Sequence, residues 1–256
     1  MHHTVLLVNV ACWFCGSDSP ALTSAKHSTC RTDDATVSSP LPEFQASEDG
    51  PSSVIRALAF DASGAFLAVA TDDKLVRVYR STDWTLSQLL KCAKRPTSVA
   101  ITSPPAHVLV GDKFGDVYVA PVESASPSAA APAAPSLLLG HFSSILSSLA
   151  LSPCGRLLAT CDRDHKIRVS RVPSAHSIEQ GAPLIQSYCL GHASYVAAAA
   201  FVSSSALLSA AGDGTLRLWD AATGEQLATL DLEALAAAKL GDAGQPTAEE
   251  GAPEGG

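Results

Sequence analysis

Residues 206–221 read ALLSAAGDGTLRLWDA: an apolar run, a short polar turn, and a second run in which apolar and polar residues alternate. This alternation has the period of a β-strand, whose successive side chains point to opposite faces. Asp213-Gly214, between the two runs, is typical of hairpin turns because glycine adopts positive φ at little cost. The segment therefore predicts a two-stranded β-hairpin.

The same pattern occurs three more times in the chain. The other copies are AFLAVATDDKLVRVYR at 65–80, HVLVGDKFGDVYVAPV at 107–122 and RLLATCDRDHKIRVSR at 156–171. When the second strands are aligned, the residues in register are spaced by 41, 50 and 49 positions: Tyr79, Ala120, Ser170 and Trp219. A further strand-like run precedes each hairpin, as in SYVAAAAFVSSS before the fourth. Self-similarity at this period is typical of propeller blades.

Two dipeptides refine this assignment. Gly-His precedes the first strand of the third and fourth units, at 140–141 and 191–192, and the fourth unit ends in Trp219-Asp220. The units resemble WD repeats, each of which forms one four-stranded blade of a β-propeller. We therefore predict an all-β fold, a WD-repeat β-propeller, over residues 51–232.

The number of blades is unusual. WD-repeat propellers most often have seven, whereas four are clear here, with a strand predicted at 5–14 as part of a fifth. The propeller is therefore apparently incomplete. We favour a truncated form of a longer chain, and the alternative is that the blades close in an unusual way. Outside the blades at 51–232, we predict an N-terminal strand and a polar linker in residues 1–50. We predict an acidic disordered tail in residues 233–256. A low-complexity insert, 124–136, lies within the blade region.

The resemblance to WD repeats implies a role for several polar residues. In these repeats the Gly-His histidine, an aspartate of the hairpin turn and a tryptophan of the next strand form a hydrogen-bonded set inside the blade. His192, Asp213 and Trp219 match this set in the fourth unit, and His141 and Asp164 match it in the third, where serine replaces tryptophan. A buried polar group without a partner costs about 1–3 kcal/mol. We interpret these residues as structural, not catalytic.

Composition argues against a dedicated nucleic-acid-binding protein. The chain has a net charge of −8, of which residues 220–256 carry −7 and residues 1–219 only −1. Such binders usually have a strongly basic domain. A propeller that binds RNA directly would also need a basic stripe with exposed aromatics, and aromatics make up 5% of this chain. We expect any RNA contact to be local or shared with a partner.

Cysteine usage and the apolar start give little sign of a metal site or a membrane segment. Seven cysteines, an odd number, favour a reducing compartment. Cys12 and Cys15 form a lone C-x-x-C, whereas a structural zinc needs four ligands. The apolar run from Val5 to Phe14 is about half the ~20 residues that span a bilayer and lacks a preceding base, although a secretory or transit signal stays open. We predict no metal, no cofactor and no membrane association.

No arrangement of residues predicts an enzyme. The glycines of GDKFGD, at 111–116, lie in a β-hairpin and do not open a helix, so they do not form a phosphate-binding loop. No nucleophile–base–acid set or metal cluster appears in the sequence. A fold alone does not give a function.

Three segments carry a more specific resemblance. GDKFGDVY, DRDHKIRVS and YCLGH look like the non-catalytic WD-repeat subunit of tRNA (guanine-N7)-methyltransferase, in the same order and blades, over about 52–230. The resemblance implies a heterodimer in which this subunit binds and stabilises a separate catalytic subunit. It also implies N7-methylation of guanine at position 46 of tRNA, a nuclear location with the cytoplasm as an alternative, and contact with tRNA only through the complex.

A basic cluster is the candidate for partner binding. Arg163 lies in the third hairpin turn, and strand alternation sends Lys166 and Arg168 outward while Ile167 points inward. Lys113 occupies the matching turn of the preceding unit. The resemblance favours a docking patch for acidic residues of the catalytic subunit, because a generic WD hairpin would have Asp-Gly in this turn. The alternative is an ordinary solvated hairpin.

Other functions remain open at this level. A generic WD-repeat scaffold, for example a ubiquitin-ligase substrate receptor, would keep the repeats without a methyltransferase partner. A direct RNA-binding propeller and an enzyme are both less favoured by the composition. Co-purification with a methyltransferase subunit would separate the first alternative from the predicted function.

Overall fold

The fold consists of four β-sheets, each of four antiparallel strands that follow one another in the chain. The computed structural model describes residues 54–104, 106–123, 132–142, 144–174, 177–178, 181 and 184–242, with side chains of 238–242 excepted. The predicted strand at 5–14, the polar linker, Cys12 and Cys15 lie outside these residues. In every sheet the strand order is the chain order.

Each sheet corresponds to one repeat unit, and we number them blades 1 to 4. Blade 1 contains β1 (Ile55–Phe60), β2 (Phe66–Thr71), β3 (Leu75–Arg80) and β4 (Leu86–Lys91). Blade 2 contains β5 (Pro96–Ile101), β6 (His107–Asp112), β7 (Asp116–Pro121) and β8 (Ser136–Gly140). Blade 3 contains β9 (Leu146–Leu151), β10 (Leu157–Asp162), β11 (Lys166–Arg171) and β12 (Ile185–Leu190). Blade 4 contains β13 (Val196–Phe201), β14 (Ala206–Ala211), β15 (Thr215–Asp220) and β16 (Gln226–Asp231).

The first strands of successive blades pack side by side. β1 contacts β5, β5 contacts β9 and β9 contacts β13. Serine side chains also link these strands, since Ser98 Oγ accepts the Leu149 N–H at 3.0 Å and Ser147 Oγ donates to the Val196 carbonyl. Among the described elements, no packing of comparable extent joins blade 4 back to blade 1. Each described blade therefore packs against the next one along the chain.

The hydrophobic core lies between neighbouring blades. Three clusters of buried residues fill the spaces between blades 1 and 2, 2 and 3, and 3 and 4. The backbone also approaches closely here: a Cβ on Gly111 would lie 3.3 Å from Leu146 Cδ1. The outermost strand of blade 4, β16, is exposed at all six positions. Burial therefore depends on a following blade, as repeat packing requires.

The structure differs from the sequence prediction after blade 4. Residues Leu232–Asp242 form a helix, α1, where a disordered tail beginning at 233 was predicted. The alanine-rich stretch has high helix propensity, and Asp231 Oδ1 caps it by accepting the N–H groups of Glu233 and Ala234 at 2.9 and 3.0 Å. The rest of the tail, 243–256, lies outside the described residues.

The low-complexity insert is described only at its end. Ala133 is extended and pairs with the outer strand of blade 1: its N–H donates to the Leu89 carbonyl, and its carbonyl accepts the Lys91 N–H, both at 2.9 Å. Residues 124–131 lie outside the described residues. Within the described part of the chain, no helix is long and apolar enough to cross a bilayer.

Candidate partner-binding face

Blade 4 contains a buried chain of hydrogen bonds. Trp219 Nε1 donates to Ser209 Oγ at 2.8 Å, and Ser209 Oγ lies 2.7 Å from His192 Nε2. His192 Nδ1 is 3.0 Å from Asp213 Oδ2. Because the ionised Asp213 carboxylate can only accept, the imidazole donates from Nδ1, and the Nε2 of a neutral ring then accepts from the serine hydroxyl. The set links both strands of the hairpin to the segment before β13, which is a structural role.

Burial and hydrogen bonding set the charges of this group. Burial lowers the pKa of His192, although Asp213 partly opposes the effect. For Asp213, burial acts to raise the pKa, but hydrogen bonds from Ala193, Thr215 and His192 outweigh it and leave the pKa below the usual range. The pair is therefore a neutral histidine and an ionised aspartate at neutral pH.

Blade 3 has a related group, but its aspartate is not the predicted one. His141 Nδ1 lies 3.1 Å from Asp162 Oδ2, and Nε2 lies 2.6 Å from Thr160 Oγ1. Asp164, which the repeat alignment assigned to this role, is exposed. The other oxygen of Asp162 accepts the N–H groups of Asp164 and Lys166 at 2.9 and 3.0 Å. The assignment of Asp164 was therefore wrong. The aspartate that contacts the histidine is the last residue of β10, and it lies two positions before the residue that aligns with Asp213 of blade 4.

Blade 2 keeps the aspartate but lacks the histidine. Asp112 ends β6 as Asp162 ends β10, and Cys92 occupies the position of His141 before the next first strand. Asp112 is fully buried, and its Oδ2 has no hydrogen-bond partner among the described residues. Burial raises the pKa of Asp112 above its usual value. The blade therefore retains an unsatisfied carboxyl oxygen.

The predicted cationic residues lie at one end of the blades. The turn between the second and third strands of each blade packs beside the segment that enters its first strand. Lys113 N–H donates to the Arg95 carbonyl at 3.1 Å, and Arg163 N–H donates to the Ile145 carbonyl at 3.0 Å. Strand alternation in direction brings both kinds of segment to the same end of every sheet. We call this end the turn face.

Arg163 and Lys166 are exposed on the turn face, in the segment 162–166 that we call the docking hairpin. Neither forms an ion pair with any residue that the structure describes. Ile167 and Val169, on the opposite face of β11, are fully buried. The buried residues of β11 therefore anchor the hairpin to the core, while its two cationic side chains are exposed to solvent.

The backbone of the docking hairpin is strained at His165, which has a φ of 66°. The same turn position is Gly115 in blade 2 and Gly214 in blade 4, with φ of 98° and 75°. A left-handed conformation costs a non-glycine residue roughly 1 kcal/mol or more and is typical of functional sites. His165 therefore occupies this turn position, on the turn face, at an energetic cost. Lys74, with φ of 66°, is in the same position in blade 1.

Arg168 has a different environment from the other predicted cations. Its guanidinium donates to the Gly140 carbonyl at 3.2 Å through Nη1 and to Ser170 Oγ at 3.0 Å through Nε, and burial lowers its pKa. Arg77 and Arg217, at the same register in blades 1 and 4, are also bonded within the chain. Arg168 is half-buried, so it holds the hairpin against the preceding blade and is not a free surface cation.

Other turn-face residues carry no recognisable sequence signal. Phe114 is 54% exposed, and the ammonium groups of Lys94 and Lys113 lie 4.7 and 5.3 Å from its ring centroid. Phe142, in the segment before β9, is 95% exposed. Phe114 and Phe142 come from separate repeats, so only the sheet topology places them at the same end of the blades. Among the described residues, no group of three His, Cys, Asp or Glu side chains is placed to hold a metal ion.

Comparison with known proteins identifies the family. A family described as the tRNA methyltransferase TRM82 WD40 domain matches residues 22–136 and 125–252. The chain belongs to this family. Both the family and the WD-repeat propeller fold predicted from the sequence are thereby confirmed.

Curated relatives of this TRM82 WD40 family member carry a more specific name. Proteins of Homo sapiens and Mus musculus named tRNA (guanine-N(7)-)-methyltransferase non-catalytic subunit WDR4 are 38% and 37% identical to it, over 73% and 75% of this chain. The Drosophila melanogaster non-catalytic subunit wuho is 34% identical over 72% of the chain. The alignments cover 44%, 43% and 41% of these relatives, so the chain spans less than half of their length.

Proposed function

We propose that this TRM82 WD40 chain acts as a non-catalytic subunit of a tRNA (guanine-N7)-methyltransferase and binds the catalytic subunit through the docking hairpin. The names of the relatives support the first part of the proposal. Arg163 and Lys166, which form no ion pair with a described residue and lie on an anchored hairpin, carry the second part. The complex would methylate guanine at position 46 of tRNA, and the catalytic subunit would supply the chemistry.

The geometry of the hairpin suits an acidic partner surface. Arginine offers a planar fork that binds a carboxylate through two hydrogen bonds, and lysine adds a mobile point charge. Ile167 and Val169 are buried, and Arg168 is bonded to the Gly140 carbonyl, so the backbone that carries these cations is pre-organised. Pre-organisation reduces the ordering cost of binding.

Three of the predicted partner-binding residues therefore divide into two roles. Arg163 and Lys166 would contact the catalytic subunit, whereas Arg168 would position the hairpin. Lys113 lies in the neighbouring blade's turn, beside Phe114, and would lie at the edge of the same interface. A WD-repeat subunit of this kind would also stabilise its catalytic partner by binding only the folded form.

The decisive experiment is a binding titration with the catalytic subunit of the same organism. The double variant Arg163→Glu/Lys166→Glu should lower affinity by about tenfold or more, equal to about 1.4 kcal/mol, because two attractive contacts become repulsive. Arg156→Glu is the control for a charge reversal outside the docking hairpin, because Arg156 is exposed in the turn at the opposite end of the same blade; the single variants Arg163→Glu and Lys166→Glu are compared with it at equal charge. Circular dichroism checks that each variant remains folded. Unchanged affinity in the double variant would mean that the hairpin is an ordinary solvated surface and not a docking site.

Activity measurements separate this proposal from its alternatives. The chain alone should transfer no methyl group to tRNA, and guanine-N7 methylation should require the catalytic subunit. Methyl transfer by the chain alone would refute the non-catalytic role. A generic WD-repeat scaffold, such as a ubiquitin-ligase substrate receptor, would co-purify with ligase components and not with the methyltransferase. A tagged chain should accumulate in the nucleus, which imaging would test.

A further inference from the structure

A cavity opens between blades 3 and 4, at the end of the sheets opposite the turn face. Its volume is about 500 Å³, within the roughly 300–1,000 Å³ that is typical of small-molecule sites. Separate stretches of both blades contribute its wall, namely the ends of β11 and β12 and the turns that join β9 to β10, β13 to β14 and β15 to β16. The polar residues that line it are Cys154, Arg156, Arg171, Gln186 and Ser204.

Cys154 lies in the turn between β9 and β10 and is exposed. Backbone hydrogen bonds close this turn: the Gly155 N–H donates to the Ser152 carbonyl at 2.8 Å, and the Ser152 N–H donates to the Leu157 carbonyl at 2.9 Å. The Ser152 Oγ accepts the Leu157 N–H at 2.9 Å and lies 3.4 Å from the Cys154 sulfur. Because the serine proton is not used in the first of these contacts, the hydroxyl can donate to the sulfur.

The groups around the sulfur favour the thiolate. Hydrogen bonds from the Ser152 hydroxyl and from the backbone N–H and guanidinium of Arg156 lower the pKa of Cys154 to about 6. A free cysteine has a pKa near 8.5, so at pH 7 about 90% of Cys154 is thiolate, compared with about 3% of a free thiol. The thiolate is the form of cysteine that attacks disulfides.

The other cysteines that the structure describes have the opposite environment. Cys92, Cys161 and Cys189 are buried, and burial raises the pKa of each thiol. Reactive cysteines lie in partly exposed, electropositive surroundings, whereas buried thiols are inert. Within the described ranges of the chain, only Cys154 therefore combines exposure with an ionised thiol.

Two arginines supply positive charge to the cavity. Arg156 and Arg171 are exposed, and neither forms an ion pair with a residue that the structure describes. The Arg171 Nε donates to Gln186 Oε1 at 2.7 Å, and the Gln186 Nε2 donates to the Ala222 carbonyl of blade 4 at 3.0 Å. These bonds position the guanidinium through its Nε, so that its terminal nitrogens can bind a carboxylate.

We propose that this cavity is a site of reversible S-thiolation, in which Arg171 binds a carboxylate of a small disulfide and Cys154 attacks one of its sulfurs. The Cys154 thiolate supplies the electron pair of the new S–S bond, the original S–S bond breaks, and one half of the small disulfide leaves as a thiolate. The small disulfide is the oxidant: it is reduced as Cys154 becomes a mixed disulfide. An excess of the small thiol reverses the reaction.

The proposal goes beyond the proposed function and does not depend on it. The cavity and the docking hairpin lie at opposite ends of blade 3, since the turn that carries Cys154 joins β9 to β10 and the docking hairpin joins β10 to β11. S-thiolation at this site therefore needs no catalytic subunit.

Peptide mass spectrometry of the full chain, with glutathione disulfide as the probe, measures the reaction at each cysteine separately. Cys154 should form the mixed disulfide while Cys92, Cys161 and Cys189 stay unmodified in the folded chain. The initial rate at Cys154 should rise with pH around a midpoint of about 6, because only the thiolate reacts.

Cystamine, a cationic disulfide without carboxylates, separates thiolate reactivity from carboxylate binding. Arg171→Gln should slow the reaction of Cys154 with glutathione disulfide by about two- to fivefold, the effect of one exposed ion pair, and should not slow the reaction with cystamine. Arg156→Gln should slow both reactions at pH 7, because the hydrogen bond that favours the thiolate is lost. Arg163→Gln is the charge-matched control at the opposite end of blade 3 and should react as the unaltered chain does.

Two results would overturn the proposal, with folding verified by circular dichroism. The first is a pH midpoint at Cys154 near 8.5, the value of an ordinary free thiol. The second is an equal rate with glutathione disulfide in Arg171→Gln and Arg163→Gln, which would mean that the cavity does not bind the carboxylate. The catalytic subunit is absent from both measurements, so failure here leaves the proposed function untouched.

Discussion

Replacement of Asp162 by alanine should destabilise the protein far more than replacement of Asp164, although the two residues are two positions apart in one turn. Asp162 accepts the N–H groups of Asp164 and Lys166 through one oxygen and contacts His141 through the other. It is 1% exposed, whereas Asp164 is exposed. The sequence alignment favoured Asp164, so this comparison tests the structural correction directly.

The magnitude follows from the groups left without partners. Asp162→Ala removes the acceptor of two backbone N–H groups and the partner of His141 Nδ1, and each buried unsatisfied group costs about 1–3 kcal/mol. Water can reach part of the turn, so we expect a total loss of about 3–5 kcal/mol. Asp164→Ala should change stability by less than about 0.5 kcal/mol, as is usual for exposed sites.

An isosteric variant refines the prediction. Asp162→Asn keeps an oxygen for the backbone N–H groups, and its amide can donate to His141 Nδ1 if the imidazole changes tautomer. The expected loss is about 1 kcal/mol, between those of the two alanine variants.

Urea denaturation followed by circular dichroism measures these differences, with an unchanged slope as the control for comparable unfolding. The reasoning fails if Asp164→Ala is as destabilising as Asp162→Ala.

Three further predictions concern the turns and the buried polar groups. Because the pKa of Asp112 is raised, ionisation of this carboxyl destabilises the folded state as pH rises above 3.8, the ordinary value. Asp112→Asn should therefore be more stable than the unaltered chain at neutral pH and lose this advantage in acid. Urea midpoints measured at several pH values would show the difference. His165→Gly should stabilise the fold by about 0.5–1 kcal/mol by relieving positive φ, measured as a rise in melting temperature, and no gain would argue against strain. The lowered pKa of His192 means that its contribution to stability is lost as pH falls below 6.5. Ser209→Ala removes the hydroxyl that contacts Nε2 and should therefore move the midpoint of acid unfolding, followed by tryptophan fluorescence, to higher pH; an unchanged midpoint would contradict this.

Local pattern was sufficient to predict the blades. The period-two alternation and turn residues of each hairpin are encoded within about 16 residues, and the repeat of that unit predicts sheets that stack side by side. His192, Asp213 and Trp219 could be placed because blade 4 carries all three residues of the repeat pattern. The family resemblance rested on equally local segments such as DRDHKIRVS, and the comparisons confirm it.

Local pattern was misleading where neighbouring positions carry the same residue type. Asp162 and Asp164 are both acidic, and alignment by turn position selects Asp164. Only the orientation of the last side chain of β10 identifies Asp162 as the partner of His141. The helix α1 was also missed, because an acidic, glycine-rich tail outweighed the short alanine run that Asp231 caps.

The turn face is a property of the tertiary structure alone. Lys74, Lys94, Lys113 and Phe114 are separated by up to 40 residues and share no motif, so a count of charge along the chain gives a nearly neutral body. Antiparallel strands return every second connection to the same end of its sheet, and the packing of successive blades sets those ends side by side. Hydrogen bonding and hydrophobic alternation act between near neighbours and can be read from sequence, whereas the electrostatic field of a surface sums over residues that only folding brings together.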